Sequence, residues 1–223
     1  MRPLARWLSY GWWRALVQTS MAILMVASIE SVAADRPVRI VALGDSLTAG
    51  LGLPAQDAFP AKLEQALRAK GLNVEIVNAG VSGDTASGGL SRLDWSVPQD
   101  ADAVIVELGA NDALRGIDPK ITRAALEKIV QQLRDRKIEV LLCGMKAPRN
   151  LGADYAAAFD PIYPRIASEQ NVPFYPFFLE GVAADPKFAQ ADGMHPNAAG
   201  VTRIVEAILP KVEELIARVR ARG

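Results

Sequence analysis

The chain contains a single histidine, His195, so any imidazole chemistry runs through that one ring. Asp192 stands three residues earlier in Asp192-Gly193-Met194-His195-Pro196, close enough along the chain to hydrogen-bond the ring, fix its tautomer and stabilise an imidazolium. A ring held in this way is a general base, and it needs a nucleophile. Ser46 in Gly44-Asp45-Ser46-Leu47 is the candidate. A serine on a tight glycine-containing turn between strand and helix can expose its hydroxyl while its amide is free at the helix start. The hydroxyl is a weak nucleophile until a base takes its proton, which is the task left to His195. Acyl transfer also needs uncharged donors where an oxyanion forms. The Ser46 amide, Gly83 in Gly80-Val81-Ser82-Gly83-Asp84-Thr85 and Asn111 in Gly109-Ala110-Asn111-Asp112 are of the right kind. Taken singly, each cluster reads as an ordinary turn, cap or loop. All four in one chain, each at a strand end or before a helix, point to a serine acting on an acyl carbon.

Those clusters need a scaffold, and the rest of the sequence describes one. Short apolar runs at Val38 to Leu43, Val74 to Val77, Ala103 to Leu108 and Val140 to Cys143, with a weaker one at Phe174-Tyr175, read as buried parallel strands. Between them lie helical stripes. Phe59, Leu63, Ala66 and Leu67 share one face, closed by Gly71, and Ile121, Leu126, Ile129, Val130 and Leu133 share another after the Asp118-Pro119 cap. Ile204, Ile208, Val212 and Ile216 mark a last helical region that Pro210 is expected to kink or restart. Residues 146–159 have no clear period and read as a long loop. Strand and helix in strict alternation predict an α/β fold, a parallel sheet covered by helices on both faces in a three-layer α/β/α sandwich. Ligands bind such sheets at the carboxyl ends of the strands, where the polar clusters fall.

Composition narrows the partners. Of 223 residues, 50% are apolar and 22% charged, with 25 basic and 25 acidic side chains; a nucleic-acid surface would need a basic excess. Cys143 is the only cysteine, which excludes an internal disulfide and a CxxC metal or redox site, and one histidine excludes a multi-histidine metal centre. Arg2, Arg6 and Arg14 precede the apolar run Met21 to Ala27, which closes on Ser31-Val32-Ala33-Ala34. That order of basic, apolar and small residues reads as a secretory signal over 1–34, cleaved after Ala33 or Ala34, rather than as a lasting membrane anchor. Residues 35–223 then form a single exported catalytic domain.

The four polar blocks resemble the signature of the SGNH, or GDSL, hydrolases over Val38 to Ile208. The resemblance implies a flavodoxin-like five-stranded sheet of order 2-1-3-4-5. It gives Ser46, Asp192 and His195 the catalytic roles and Ser46, Gly83 and Asn111 the oxyanion hole, with no metal or cofactor. Ser46 to Gly50, Asn78 to Gly80, Leu108 to Gly116 and Met145 to Tyr155 are most similar to the periplasmic thioesterase, lysophospholipase and arylesterase branch. It places Leu114, Met145 and Pro148 beside the acyl groove. The expected activity is hydrolysis of small or lipid-like carboxylic esters or thioesters through an acyl-enzyme. Two alternatives use the same fold: a carbohydrate O-deacetylase, and a non-catalytic flavodoxin-like module that holds an anion on the Gly44 to Ser46 turn.

Overall fold

Each of the five apolar runs forms a strand. In the computed structural model, which describes residues 36–222, these are β1 (Val38–Gly44), β2 (Val74–Gly80), β3 (Ala103–Glu107), β4 (Glu139–Cys143) and β5 (Phe174–Tyr175). They pair in parallel in the order β2-β1-β3-β4-β5, the order that the family resemblance implies. The leader expected over 1–34 lies outside the described residues. β3 and β4 are buried along their whole length, as a central parallel strand covered on both faces must be, and this is why their sequences are apolar apart from Glu107 at the end of β3 and Glu139 at the start of β4. β2, at the edge, is only half-buried.

The helices are α1 (Ser46–Ala49), α2 (Phe59–Ala69), α3 (Ala86–Ser91), α4 (Leu93–Ser96), α5 (Ala110–Leu114), α6 (Pro119–Asp135), α7 (Ala153–Phe159), α8 (Ile162–Glu169) and α9 (Ala198–Arg220). α2 and α9 pack together on one side of the sheet, and α3, α6 and α8 associate on the other. Asp118 caps α6 as its sequence predicts, its carboxylate accepting from the Lys120 amide at 2.9 Å. Its buried stripe, however, is Thr122, Ala125, Leu126, Ile129, Val130 and Leu133. Ile121, expected on that stripe, is 53% exposed. One residue is about 100° of helix, and the inward position at this turn belongs to Thr122, whose hydroxyl donates to buried Asp112 at 2.9 Å.

Two further expectations are corrected. α9 continues through Pro210 rather than restarting there. A proline inside a helix costs about 3 kcal/mol, and burial of Ile208, Val212, Leu215 and Ile216 around it, each contributing roughly 1.5–3 kcal/mol, outweighs that loss. Residues 146–159 are not all loop, because α7 occupies their second half. Its anchors are Tyr155 and Phe159, stacked with ring centroids 5.8 Å apart, among alanines that leave no legible stripe.

Register is what builds the site. Gly44, the last residue of β1, stands level with Gly80 of β2 and Glu107 of β3. The loops that follow these three strands therefore leave the sheet at one height, at the point where the strand order reverses.

Candidate active site

Ser46 is the first residue of α1, directly after the turn at Asp45. The Asp45 carboxylate caps this short helix, accepting from the Leu47 amide at 3.0 Å, so the turn is held from within. Ser46 is 8% exposed, and its Oγ lies 2.9 Å from His195 Nε2 across 149 residues of sequence. On the other side of the ring, Nδ1 lies 2.5 Å from Asp192 Oδ2. With the Nδ1 proton facing that carboxylate, Nε2 is left to accept the proton of the Ser46 hydroxyl.

The loop carrying His195 is tied down independently of the ring. Asp192 Oδ1 accepts from the Met194 and His195 amides at 2.9 and 3.0 Å. These bonds, with that to the ring, hold the Asp192 carboxyl down at about 2. Gln190 donates from its amide nitrogen to the carbonyls of Leu51 at 2.7 Å and Pro196 at 2.9 Å, linking the histidine loop to the residues after α1. Asn197 caps α9 through Gly200 N at 3.0 Å and reaches back to the carbonyls of Lys187 and Ala189. The histidine is thus carried by a loop with bonded anchors on both sides.

The expected oxyanion donors come from the neighbouring strand ends. Gly83 has a φ of +85°, a left-handed conformation that favours glycine, and its carbonyl accepts from Arg115 Nη2 at 2.8 Å. Asn111 lies in the first turn of α5, and its Nδ2 donates to Asp45 Oδ2 at 3.0 Å and to the Asp84 carbonyl at 2.9 Å. The Asn111 amide therefore sits beside the Ser46 turn, with its nitrogen end toward it. Of the expected groove residues, Leu114 is 57% exposed and Pro148 half-buried. Met145 does not join them: it is drawn into the hydrophobic core beyond the end of β4, 3% exposed.

Beneath the site lies polar machinery that the sequence did not reveal. Glu107 is fully buried at the end of β3, and its Oε2 accepts from the Thr48 hydroxyl of α1 at 2.7 Å. Burial, reinforced by nearby Asp45, pushes its carboxyl well above the usual carboxylate range. Burial also raises Asp45 to about 6. Arg92 donates to the Gly44 carbonyl at 2.9 Å, the Ala79 carbonyl at 2.9 Å and Asp84 Oδ2 at 2.6 Å, pinning the ends of β1 and β2 to the loop that carries Gly83. In sequence, Glu107 reads as an interruption of an apolar strand. A carboxylate inside such a run was the only available signal.

A parallel-sheet hydrolase working through a serine is the class of protein that this fold and site define. The GDSL-like lipase/acylhydrolase family model matches residues 42–203. The arylesterase of Vibrio mimicus is 37% identical over 179 residues, covering 80% of this chain and 90% of its own. Thioesterase 1/protease 1/lysophospholipase L1 of Escherichia coli strain K12 is 38% identical over 194 residues, covering 86% and 90%. A crystal structure of TesA superposes with a TM-score of 0.76 at 37% identity, over 79% of this chain and 99% of that one. The chain belongs to the GDSL-like lipase/acylhydrolase family, and it is an enzyme that hydrolyses ester bonds.

Proposed function

We propose that Ser46, His195 and Asp192 carry out hydrolysis of carboxylic esters and thioesters by way of an acyl-enzyme. His195 Nε2 takes the hydroxyl proton as Ser46 Oγ bonds to the acyl carbon, and the carbonyl electron pair moves to oxygen. The amides of Ser46 and Gly83 and the Asn111 side chain receive that oxyanion. Collapse expels the alcohol or thiol, which leaves with the proton from His195. Water then repeats the sequence, releasing the acid and restoring Ser46. Asp192 stays ionised throughout and stabilises the imidazolium. The observation that carries this reading is the bonded chain from Ser46 Oγ at 2.9 Å to His195 Nε2 and from Nδ1 at 2.5 Å to Asp192.

The substrate class is argued from exposed apolar residues. Leu51, Val81, Leu114 and Met194, each within or close in sequence to a site block, are between 41% and 58% exposed, which favours aryl or acyl-chain substrates over sugars. Thioesters and lysophospholipids fall within this range, in keeping with the names of the relatives. We further propose that residues 1–34 are a cleaved leader and that the enzyme works in the periplasm. No helix among the described residues is long and apolar enough to cross a membrane. The test is a matched series of chromogenic acyl esters and acyl thioesters assayed with wild type and Ser46→Ala. Both substrate classes should be turned over by the wild type, and the variant should lose several orders of magnitude in kcat on each. Turnover of either class at wild-type rate by the variant overturns the assignment.

A further inference from the structure

The helix that carries Asn111 does not close well on its own. α5 has five residues, too few to be stable without packing, and its N-cap, Gly109, has no side chain to bond the first amides. Two tyrosine hydroxyls grip this segment from α7 and α8. Tyr163, which is buried, donates to the Leu108 carbonyl at 3.0 Å, immediately before Gly109. Tyr155 donates to the Ile117 carbonyl at 2.8 Å, beyond the end of α5, and lies 3.4 Å from the Asp112 carbonyl. Phe159 stands between the two rings, stacked on Tyr155 and edge-on to Tyr163, with centroids 5.8 Å apart in each pair. Gly109 makes room for this ladder. Its φ of +110° favours glycine, and a methyl group there would fall on the Tyr163 hydroxyl and lie 3.7 Å from Phe159 Cζ.

We propose that Tyr163 and Tyr155 are positioning residues: their hydroxyls hold the backbone on either side of Asn111 and so set where its amide meets the oxyanion. The inference rests on the reading of Asn111 as an oxyanion donor. A preorganised donor contributes only when it is already in place as charge develops, and a displacement of about 1 Å is enough to lose most of its effect. The anchors are fixed independently of the segment they hold, because Phe159, Ile162, Tyr163 and Ile166 are all buried in the core. Burial pushes the Tyr163 phenol well above its usual range and raises that of Tyr155, so both keep the proton they donate. Each hydroxyl has one proton and gives it to a carbonyl of this segment, so it acts through Asn111 rather than on the substrate.

The test is a double-mutant cycle with Tyr163→Phe, Asn111→Ala and the double variant, measured on a chromogenic short-chain ester below the Tm of every variant. Phenylalanine keeps the ring and its packing and removes only the hydroxyl. Tyr163→Phe should lower kcat by about 5–20-fold with KM changed less than about 2-fold, the signature of a misplaced transition-state donor. In the Asn111→Ala background the same substitution should change kcat by less than about 2-fold. Tyr155→Phe should act in the same direction by about 2–5-fold, since its ring is less deeply buried. Equal losses with and without Asn111, or wild-type kcat in Tyr163→Phe, overturn the inference, and wild-type kcat in Tyr155→Phe alone strikes Tyr155 from it. An Asn111→Ala variant with unchanged kcat instead overturns the oxyanion reading beneath it. Should Tyr163→Phe fail to fold, the same cycle with Tyr155→Phe decides: a kcat loss seen only where Asn111 is present upholds the inference, and no loss, or an equal one in both backgrounds, overturns it.

Discussion

Gly80→Ala should damage the enzyme through Ser46, although Gly80 belongs to the sheet. A methyl group at position 80 would lie 2.7 Å from Ala49 Cα and 2.9 Å from the Asp45 carbonyl oxygen, and closer still to Ala49 N. Those atoms are backbone. They also include both ends of the 2.9 Å hydrogen bond from Ala49 N to Asp45 O, which closes the first turn of the helix that begins at Ser46. Restoring ordinary contact at about 3.4 Å with the nearest of these atoms, Ala49 N, requires a shift of roughly 1 Å in the nucleophile turn. Overpacking of this kind costs about 1–3 kcal/mol, or roughly 2–12 °C in Tm for a domain of this size. Displacement of a reacting group by nearly 1 Å should lower kcat by about 10–100-fold. The control is Gly71→Ala. Gly71 has a φ of +79° with nothing within 4 Å of the added methyl, so the variant should lose about 1–2 kcal/mol to backbone strain and keep its kcat. Thermal denaturation and steady-state kinetics on one ester suffice. If Gly80→Ala melts lower but retains wild-type kcat, the nucleophile turn is not braced by β2 and the reasoning fails.

Three other expectations follow from the site. Asn111→Ala should reduce kcat by roughly 10²–10³ with little change in KM, because its bond strengthens as negative charge develops; steady-state kinetics would show a pure KM effect if it served ground-state binding instead. Asp192→Asn should lower kcat by about 10⁴, because the amide oxygen stays on the Met194 and His195 amides and its N–H faces Nδ1, favouring the wrong tautomer; a loss below tenfold would remove Asp192 from the mechanism. Asp45, raised from 3.8 to about 6 by burial, binds its proton more tightly when folded. Its ionisation therefore penalises the fold above pH 6, and stability is regained, by up to about 3 kcal/mol, as pH falls from 6 toward 4. Urea denaturation of wild type and Asp45→Asn across pH 4–7 should show this slope in the wild type alone.

The sheet was legible because its central strands are buried on both faces and so read as apolar runs, broken only by Glu107 and Glu139 at strand ends. The edge strand was less so: β2 continues past Val77 through Asn78 to Gly80 because that segment pairs with Ala42 to Gly44, a fact about its neighbour rather than about its own residues. Ser46, Asp192 and His195 stood out as polar residues at the ends of apolar segments, and a single histidine left no competitor for the base. What supports them did not stand out. Asp45 to Asn111, Thr48 to Glu107 and Gln190 to Leu51 are contacts across 66, 59 and 139 residues, invisible to any local period. Met145 shows the opposite failure. A methionine in a loop after a strand suits a groove or a core equally well, and only packing decides between them.

The central claim is that Ser46 is the nucleophile and that His195 activates it. Labelling the enzyme with a fluorophosphonate and mapping the adduct by peptide mass spectrometry tests this most directly. One phosphonyl group per chain should appear on Ser46, should be absent in Ser46→Ala, and should form far more slowly in His195→Ala while that variant keeps its fold. An adduct on another residue, or labelling of His195→Ala at the wild-type rate, would contradict it.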